Sequence, residues 1–154
     1  MSESAVERPA TLVDSNVLLD VLTDDSEWLT WSSDALASAS DAGSVVINPL
    51  VYAEVSVRFE SIEALDEALG TSLLTREALP FTAGFIAGKA FTRYRRRGGS
   101  RATPLPDFYI GAHALVAGYR LLTRDARRYR TYFPRLQLVA PDVQETVRAA
   151  RRPA

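Results

Sequence analysis

The sequence predicts an α/β domain built on a parallel sheet. Short apolar segments, Ala10–Val13, Ser44–Ile47, Arg120–Thr123 and Leu136–Val139, alternate along the chain with stretches of helical period. Turn and capping residues bound these segments, as in Asn48-Pro49 and Gly98-Gly99-Ser100. Two acids, Asp14 and Asp125, stand directly beyond strand-like runs. Sheets of this class bind ligands outside the carboxyl ends of their strands. At 154 residues the chain fits one domain, with a core of about 10–141 between short N- and C-terminal tails. That length buries roughly 70% of the unfolded surface.

Ala10–Val13 forms the first strand. Ser15–Thr23 follows as a helix, with Val17, Leu18, Val21 and Leu22 at helical spacing. Ser26–Asp41 suits a second helix ended by Gly43. After the strand Ser44–Ile47, Pro49 fits a first helical turn, so Leu50–Arg58 is helical. Ser61–Leu69 is a further helix closed by Gly70. Leu73–Leu79 is ambiguous and compatible with a short strand. Phe81–Arg97 reads as a long helix despite Gly84 and Gly88, and Gly98-Gly99-Ser100 stops it. A loop through Pro106 leads to a helix over Asp107–Ala117, the strand Arg120–Thr123 and a short basic helix, Ala126–Phe133. Leu136–Val139 is the last strand. Asp142, with Glu145 three residues on, fits the capping box of a final helix, followed by a loose tail at Arg151–Ala154.

The composition excludes several chemistries. There is no cysteine, so no disulfide framework, thiolate nucleophile or Cys-type zinc site is possible. The single histidine, His113, has no second imidazole with which to share a metal. No uncharged apolar run approaches the roughly 18 residues of a membrane span, and the polar, acid-bearing amino terminus is unlike a secretory signal. The expected location is the cytoplasm.

The net charge of −1 conceals an asymmetry. Residues 1–77 hold 15 acidic and three basic residues, a balance of −12; residues 78–154 hold four acidic and 15 basic residues, a balance of +11. The second half therefore suits a polyanion. Its bases are almost all arginine, whose planar fork matches phosphate. The alternative is that the two halves interleave and attract each other.

Four acids sit where a soluble chain does not normally place one. Asp14 ends an apolar run. Glu54 interrupts the otherwise uncharged stretch Val45–Val57. Asp107 opens the apolar segment Phe108–Ala112. Asp125 follows Leu121-Leu122-Thr123-Arg124. Carboxylates are rarely buried unless paired or bound to a metal, and clustered carboxylates raise one another's pKa. A shared divalent cation removes that penalty. All-oxygen ligation suits Mg²⁺, or Mn²⁺, over zinc or copper. Such an ion activates a water and neutralises charge on an attacked phosphodiester. Beside an arginine-rich surface, phosphodiester hydrolysis fits better than other reactions. Each acid also has a duller reading: Asp14, Asp107 and Asp125 as helix caps, and Glu54 as a solvated residue.

The arginines Arg93, Arg95, Arg96 and Arg97 complement the dipole at a helix carboxyl end. With Tyr94, Arg101 and the later Arg124, Arg127, Arg128 and Arg130 they also form an edge able to grip phosphate. His113 lies about 240° around the helix from Asp107, which points to a structural or interface role. Trp28 and Trp31 suit packing better than base stacking.

These motifs together resemble the PIN-domain ribonucleases, and within them the VapC toxins of type II toxin–antitoxin pairs. The resemblance covers about residues 10–141. It is carried by Val13-Asp14-Ser15-Asn16-Val17-Leu18-Leu19-Asp20, Asn48-Pro49-Leu50-Val51-Tyr52-Ala53-Glu54 and Leu122-Thr123-Arg124-Asp125. Most specific is Arg95–Arg101 followed by Pro104-Leu105-Pro106-Asp107-Phe108-Tyr109-Ile110-Gly111-Ala112-His113-Ala114. The first motif alone is weak; the four in this order and spacing are strong. The resemblance implies a three-layer α/β fold with a central parallel sheet flanked by helices, and Mg²⁺- or Mn²⁺-dependent cleavage of RNA. Asp14, Glu54, Asp107 and Asp125 match the acidic catalytic and metal positions. Asn16 and Thr123 match the supporting polar ones. A small cognate antitoxin and a homodimer are implied partners, beside the RNA substrate. Arg95, Arg96, Arg97, Arg101 and Arg124 are the residues expected to meet RNA.

Three other readings compete. A phosphoacceptor receiver domain also carries an acidic Mg²⁺ pocket, but needs a lysine near a late strand, and the only lysine, Lys89, lies in the long helix. An RNA-binding module without turnover would not need all four acids. A PIN nuclease of RNA processing or decay, with no antitoxin, has the same sequence features.

Overall fold

A computed structural model describes residues 8–70, 73–103 and 105–142. Among these residues the chain runs β1 (Thr11–Val13), α1 (Ser15–Leu22), α2 (Leu29–Ala42), β2 (Val45–Ile47), α3 (Pro49–Ser56), α4 (Ile62–Leu69), β3 (Leu74–Arg76), α5 (Phe81–Arg96), α6 (Pro106–Ala117), β4 (Arg120–Leu122), α7 (Arg127–Tyr132) and β5 (Leu138–Val139). The expected final helix after Asp142 and the tail Arg151–Ala154 lie outside the described residues.

The five strands form one parallel sheet in the order β3-β2-β1-β4-β5, flanked by helices in a three-layer α/β arrangement. Leu12 sits opposite both Val46 and Leu121. All residues of β1 and β2 are buried, the continuous apolar run of parallel strands covered on both faces. From β1 the chain steps outward to β2 and β3, then crosses back to β4 on the other side of β1. The direction of winding therefore reverses between β1 and β4, and the crevice at their carboxyl ends is where such folds bind ligands.

Local chemistry sets the helix starts that border this crevice. Asp14 caps α1 by accepting from Ser15 N–H at 2.8 Å. Asn48 caps α3 by accepting from Val51 N–H at 3.0 Å, with Pro49 in the first turn. Pro106 opens α6, so Asp107 lies in its first turn and is not the cap. Gly118, at φ 72°, ends α6 in the left-handed region. Gly111 lets α6 approach the aromatic ring of Phe133; a Cβ there would lie 2.6 Å from that ring.

Several boundaries differ from the sequence reading by a residue or more; α3, for example, ends at Ser56, not Arg58, and β5 begins at Leu138, not Leu136. α2 begins at Leu29, not Ser26, because Asp25 Oδ1 accepts from the N–H of both Glu27 and Trp28 at 2.9 Å and holds a turn there. The ambiguous segment contains β3, an edge strand whose Thr75 and Arg76 are exposed. The core is Leu12, Val13, Val17, Val46, Val51, Phe108, Ile110, Leu121 and Leu122, with Ala83, Ala87 and Ala90 of α5 fully buried. Among the described residues, no helix is long and apolar enough to cross a membrane.

Candidate active site

The carboxyl ends of β1 and β4 are locked together by side chains. The hydroxyl of Thr123, fully buried, donates to Asp14 Oδ2 at 2.9 Å. It accepts from Asp125 N–H at 3.2 Å and from Asn16 Nδ2 at 3.3 Å. Asn16 Oδ1 in turn accepts from Arg124 N–H at 3.1 Å. Of the two expected supporting residues, Thr123 touches Asp14 directly and Asn16 reaches it only through Thr123. A third, which the sequence reading missed, is Tyr129 of α7: its hydroxyl donates to Asp14 Oδ2 at 2.9 Å.

Asp14 is 4% exposed. Burial pushes its carboxyl above the usual range and the charge of Asp107 adds to the effect, while the hydrogen bonds from Tyr129, Thr123 and Ser15 oppose it. Glu54, on α3, is pushed up to about 7 by burial first, then by Asp14 and Asp107; a hydrogen bond from the Ser15 hydroxyl lowers it somewhat. Glu54 Oε1 is buried without a hydrogen-bond partner. Tyr129 is pushed well above its ordinary value by burial and by Asp14, Asp107 and Glu54. Asp14, Glu54 and Asp107 therefore share one electrostatic environment at this sheet edge.

Asp107 is half-buried and pairs with Arg128 Nη1 at 2.8 Å. Asp125 is exposed. It stands on the rim of an adjoining cavity of about 370 Å³ that Asp107, Tyr94, Arg97, Arg127, Arg128 and Tyr132 also line. Asp14, Glu54 and Asp107 thus act on one another through their charges, and Asp125 lines the cavity that Asp107 also lines.

The donor set suits a hard cation: it is all oxygen, its charges repel, and one buried carboxylate oxygen has no partner. Among the described residues, no three acidic or histidine side chains are spaced to hold a metal ion by themselves. The arrangement suits an ion that keeps several waters and takes one or two carboxylates, as Mg²⁺ does.

The arginines divide. Arg95 Nη1 donates to the carbonyls of Gly99 and Arg101 at 3.1 and 3.0 Å and so ties down the loop after α5. Arg96 and Arg101 are exposed. Arg97 lies 6.0 Å from the Tyr132 ring centroid, at the rim of the adjoining cavity. Arg124 is engaged: its Nε and Nη2 meet Asp20 at 2.8 and 3.0 Å, and its guanidinium lies 5.4 Å from the centroid of a Trp28 ring. Asp20 is 2% exposed and also accepts from Ser32 Oγ at 2.7 Å. Interleaving of the two charge-biased halves accounts for this pair, while most of the α5 arginines remain exposed. Trp28 and Trp31 contact each other edge to face, as expected of packing residues. Asp20 had a signal in the sequence, a lone acid among Val17, Leu18, Val21 and Leu22. Tyr129 had only its position four residues beyond Asp125.

Comparisons with known proteins place the chain. The family model described as "PIN domain" matches residues 11–134. Comparison with curated proteins finds no match. Among solved structures, VapBC2 from Rickettsia felis, bound to a promoter DNA fragment, is similar with a TM-score of 0.67 at 17% identity, over 86% of this chain and 99% of that one. VapBC-1 from nontypeable Haemophilus influenzae gives 0.65 at 17%, over 85% and 97%. A toxin–antitoxin complex from Klebsiella pneumoniae gives 0.62 at 19%, over 86% and 98%. At such identity these likenesses speak for the fold, and the family match spans the sheet edge from Asp14 to Tyr129: the chain belongs to the PIN domain family.

Proposed function

We propose that this protein is a Mg²⁺- or Mn²⁺-dependent endoribonuclease acting as the toxin of a toxin–antitoxin pair. One observation carries the reading: at the switch point of the sheet Glu54, raised by burial and by the charges of Asp14 and Asp107, has a buried oxygen that accepts no hydrogen bond. Asp14, Glu54 and Asp107 would hold the cation, directly or through water, with Asp125 at the rim. When bound, the ion supplies a water of lowered pKa and offsets charge on the phosphodiester. Tyr129 and Thr123 fix the orientation of Asp14, and Asn16 holds Thr123 in place. The exposed Arg96, Arg97 and Arg101 meet the RNA backbone, and Arg95 shapes the loop that presents Arg101. The toxin reading draws support from the fold neighbour that is a toxin–antitoxin complex. A small cognate antitoxin is then the natural inhibitor, and a homodimer the assembly expected by resemblance.

Purified protein should cut RNA with Mg²⁺ or Mn²⁺ and stop with EDTA. Asp14→Asn and Asp107→Asn should each lose most activity while remaining folded. Undiminished cleavage by either folded variant refutes the site. Expression alone should arrest growth, and co-expression of the adjacent gene should relieve it. Harmless expression with robust cleavage in vitro would favour a processing nuclease.

A further inference from the structure

The single histidine lies outside the acidic site, yet it is 1% exposed and held at one ring nitrogen. Asn48, 2% exposed, uses its Oδ1 to cap α3. This fixes the amide, so that Nδ2 donates toward His113 Nδ1 at 3.1 Å. Nδ1 is therefore the acceptor, and the proton of the neutral ring lies on Nε2. Nε2 faces Glu77 Oε2 at 3.4 Å, a long contact without good hydrogen-bond geometry. Glu77 follows β3 directly; its N–H donates to Ile47 O at 2.9 Å and its Oε1 accepts from Tyr119 OH at 2.6 Å.

We propose that Asn48 and His113 are positioning residues for the acidic site, clamping α3 to α6 and so setting Glu54 against Asp107. This rests on the nuclease reading. α3 carries Glu54 and α6 carries Asp107. Each clamp residue lies six positions from the acid on its helix, about 9 Å along a helix axis, so neither belongs to the acidic cluster. Among the described residues, the Asn48–His113 bond is the one side-chain hydrogen bond joining α6 to α3 or its cap. On the same face of α6, Ile110, also fully buried, adds apolar packing one turn from His113, but only the hydrogen bond fixes a register between the two helices. Burying an amide and an imidazole is costly unless they pair. A buried hydrogen bond with a fixed donor and acceptor favours one arrangement where apolar packing admits several.

Two substitutions at His113 separate the hydrogen bond from packing. His113→Asn keeps an acceptor near the Nδ1 position but loses volume; His113→Leu keeps volume but loses the acceptor. A third, Asn48→Ser, retains a good helix cap but is too short to reach the ring. The readouts are Mn²⁺ affinity by calorimetry without RNA, and kcat and KM for RNA, on protein shown to be folded by circular dichroism. His113→Leu and Asn48→Ser should each weaken Mn²⁺ binding by about five- to ten-fold, the worth of one hydrogen bond, and lower kcat with little change in KM. His113→Asn should lie closer to wild type than His113→Leu. The reverse order, or wild-type Mn²⁺ binding in folded Asn48→Ser, overturns the clamp. Should His113→Leu not fold, Asn48→Ser decides alone. Wild-type protein that neither binds Mn²⁺ nor cuts RNA overturns the nuclease reading itself, and the clamp with it.

Discussion

Replacing Tyr129 by Phe removes one oxygen and leaves the ring in place. The lost hydroxyl donates at 2.9 Å to Asp14 Oδ2, on a carboxylate only 4% exposed. A hydrogen bond to a charged group contributes about 1.5–3 kcal/mol. Asp14 keeps two other donors, Thr123 Oγ1 at 2.9 Å and Ser15 N–H at 2.8 Å, which places the loss near the lower end. About 1.5 kcal/mol corresponds to roughly ten-fold in the ionisation equilibrium of Asp14. Burial and Asp107 already hold that carboxyl above the ordinary range, and the tyrosine opposes them. Its removal therefore raises the carboxyl further. In Tyr129→Phe the acid limb of the pH–rate profile should move to higher pH, and cleavage at pH 6 should fall more than at pH 8. High Mg²⁺ should narrow the gap, since a bound cation favours the ionised form. A profile that keeps its position, with activity equal to wild type at pH 6, would refute the role given to this hydroxyl.

Other outcomes follow from the same geometry. In EDTA, Glu54 titrates at about 7 in the folded protein against 4.5 for the free side chain, and Asp14 is raised as well. The folded state then binds more protons than the unfolded one, so stability is greatest below pH 4.5 as far as these groups decide it, and falls as pH rises through 7. Thermal melts in EDTA should show that decline, and Mg²⁺ should reverse it above pH 7. Arg124→Ala should cost about 3 kcal/mol, the lower end for breaking a buried pair because the arginine is partly exposed; urea titration measures it, and a loss under 1 kcal/mol would contradict the pairing with Asp20. Arg128→Ala frees the Asp107 carboxylate and should tighten Mn²⁺ binding several-fold, as read by calorimetry; weaker binding would mean that Arg128 organises the site.

The sheet and its site acids were legible because each leaves a local mark. β1 and β2 are buried on both faces and read as unbroken apolar runs, and a carboxylate directly beyond such a run, as at Asp14, has no local reason to be there. Asn48-Pro49 announces the start of α3 by cap chemistry alone. β3 gave no such mark, because an edge strand with Thr75 and Arg76 in solvent has no apolar pattern to display. The start of α2 was misplaced because the turn at Asp25 is made by a side chain taking two backbone donors, which a periodicity count does not register. Tyr129 was hidden for a different reason. On a short arginine-rich helix a tyrosine reads as packing, and its value lies in one oxygen meeting a residue 115 positions away.

The separation of charge along the chain takes a specific form in space. Only part of it is neutralised internally: buried Asp20 takes the partly exposed Arg124 as its partner, and Arg76 binds Asp66 within the acidic half. At the sheet edge Asp107 has Arg128, whereas Glu54 keeps a buried oxygen with no donor. A fold selected only for stability would replace such a carboxylate with an apolar side chain or give it a partner. Glu54 has a hydroxyl partner in Ser15 but no positive one, and the charges of Asp14 and Asp107 raise its cost. That cost is offset by a proton at lower pH or by a cation brought to the crevice. Around the adjoining rim, Arg97, Arg127 and Arg128 supply the opposite sign on longer, more exposed side chains. An acidic floor beside a basic rim is the polarity that the proposed metal ion and phosphodiester would require at one edge of the sheet.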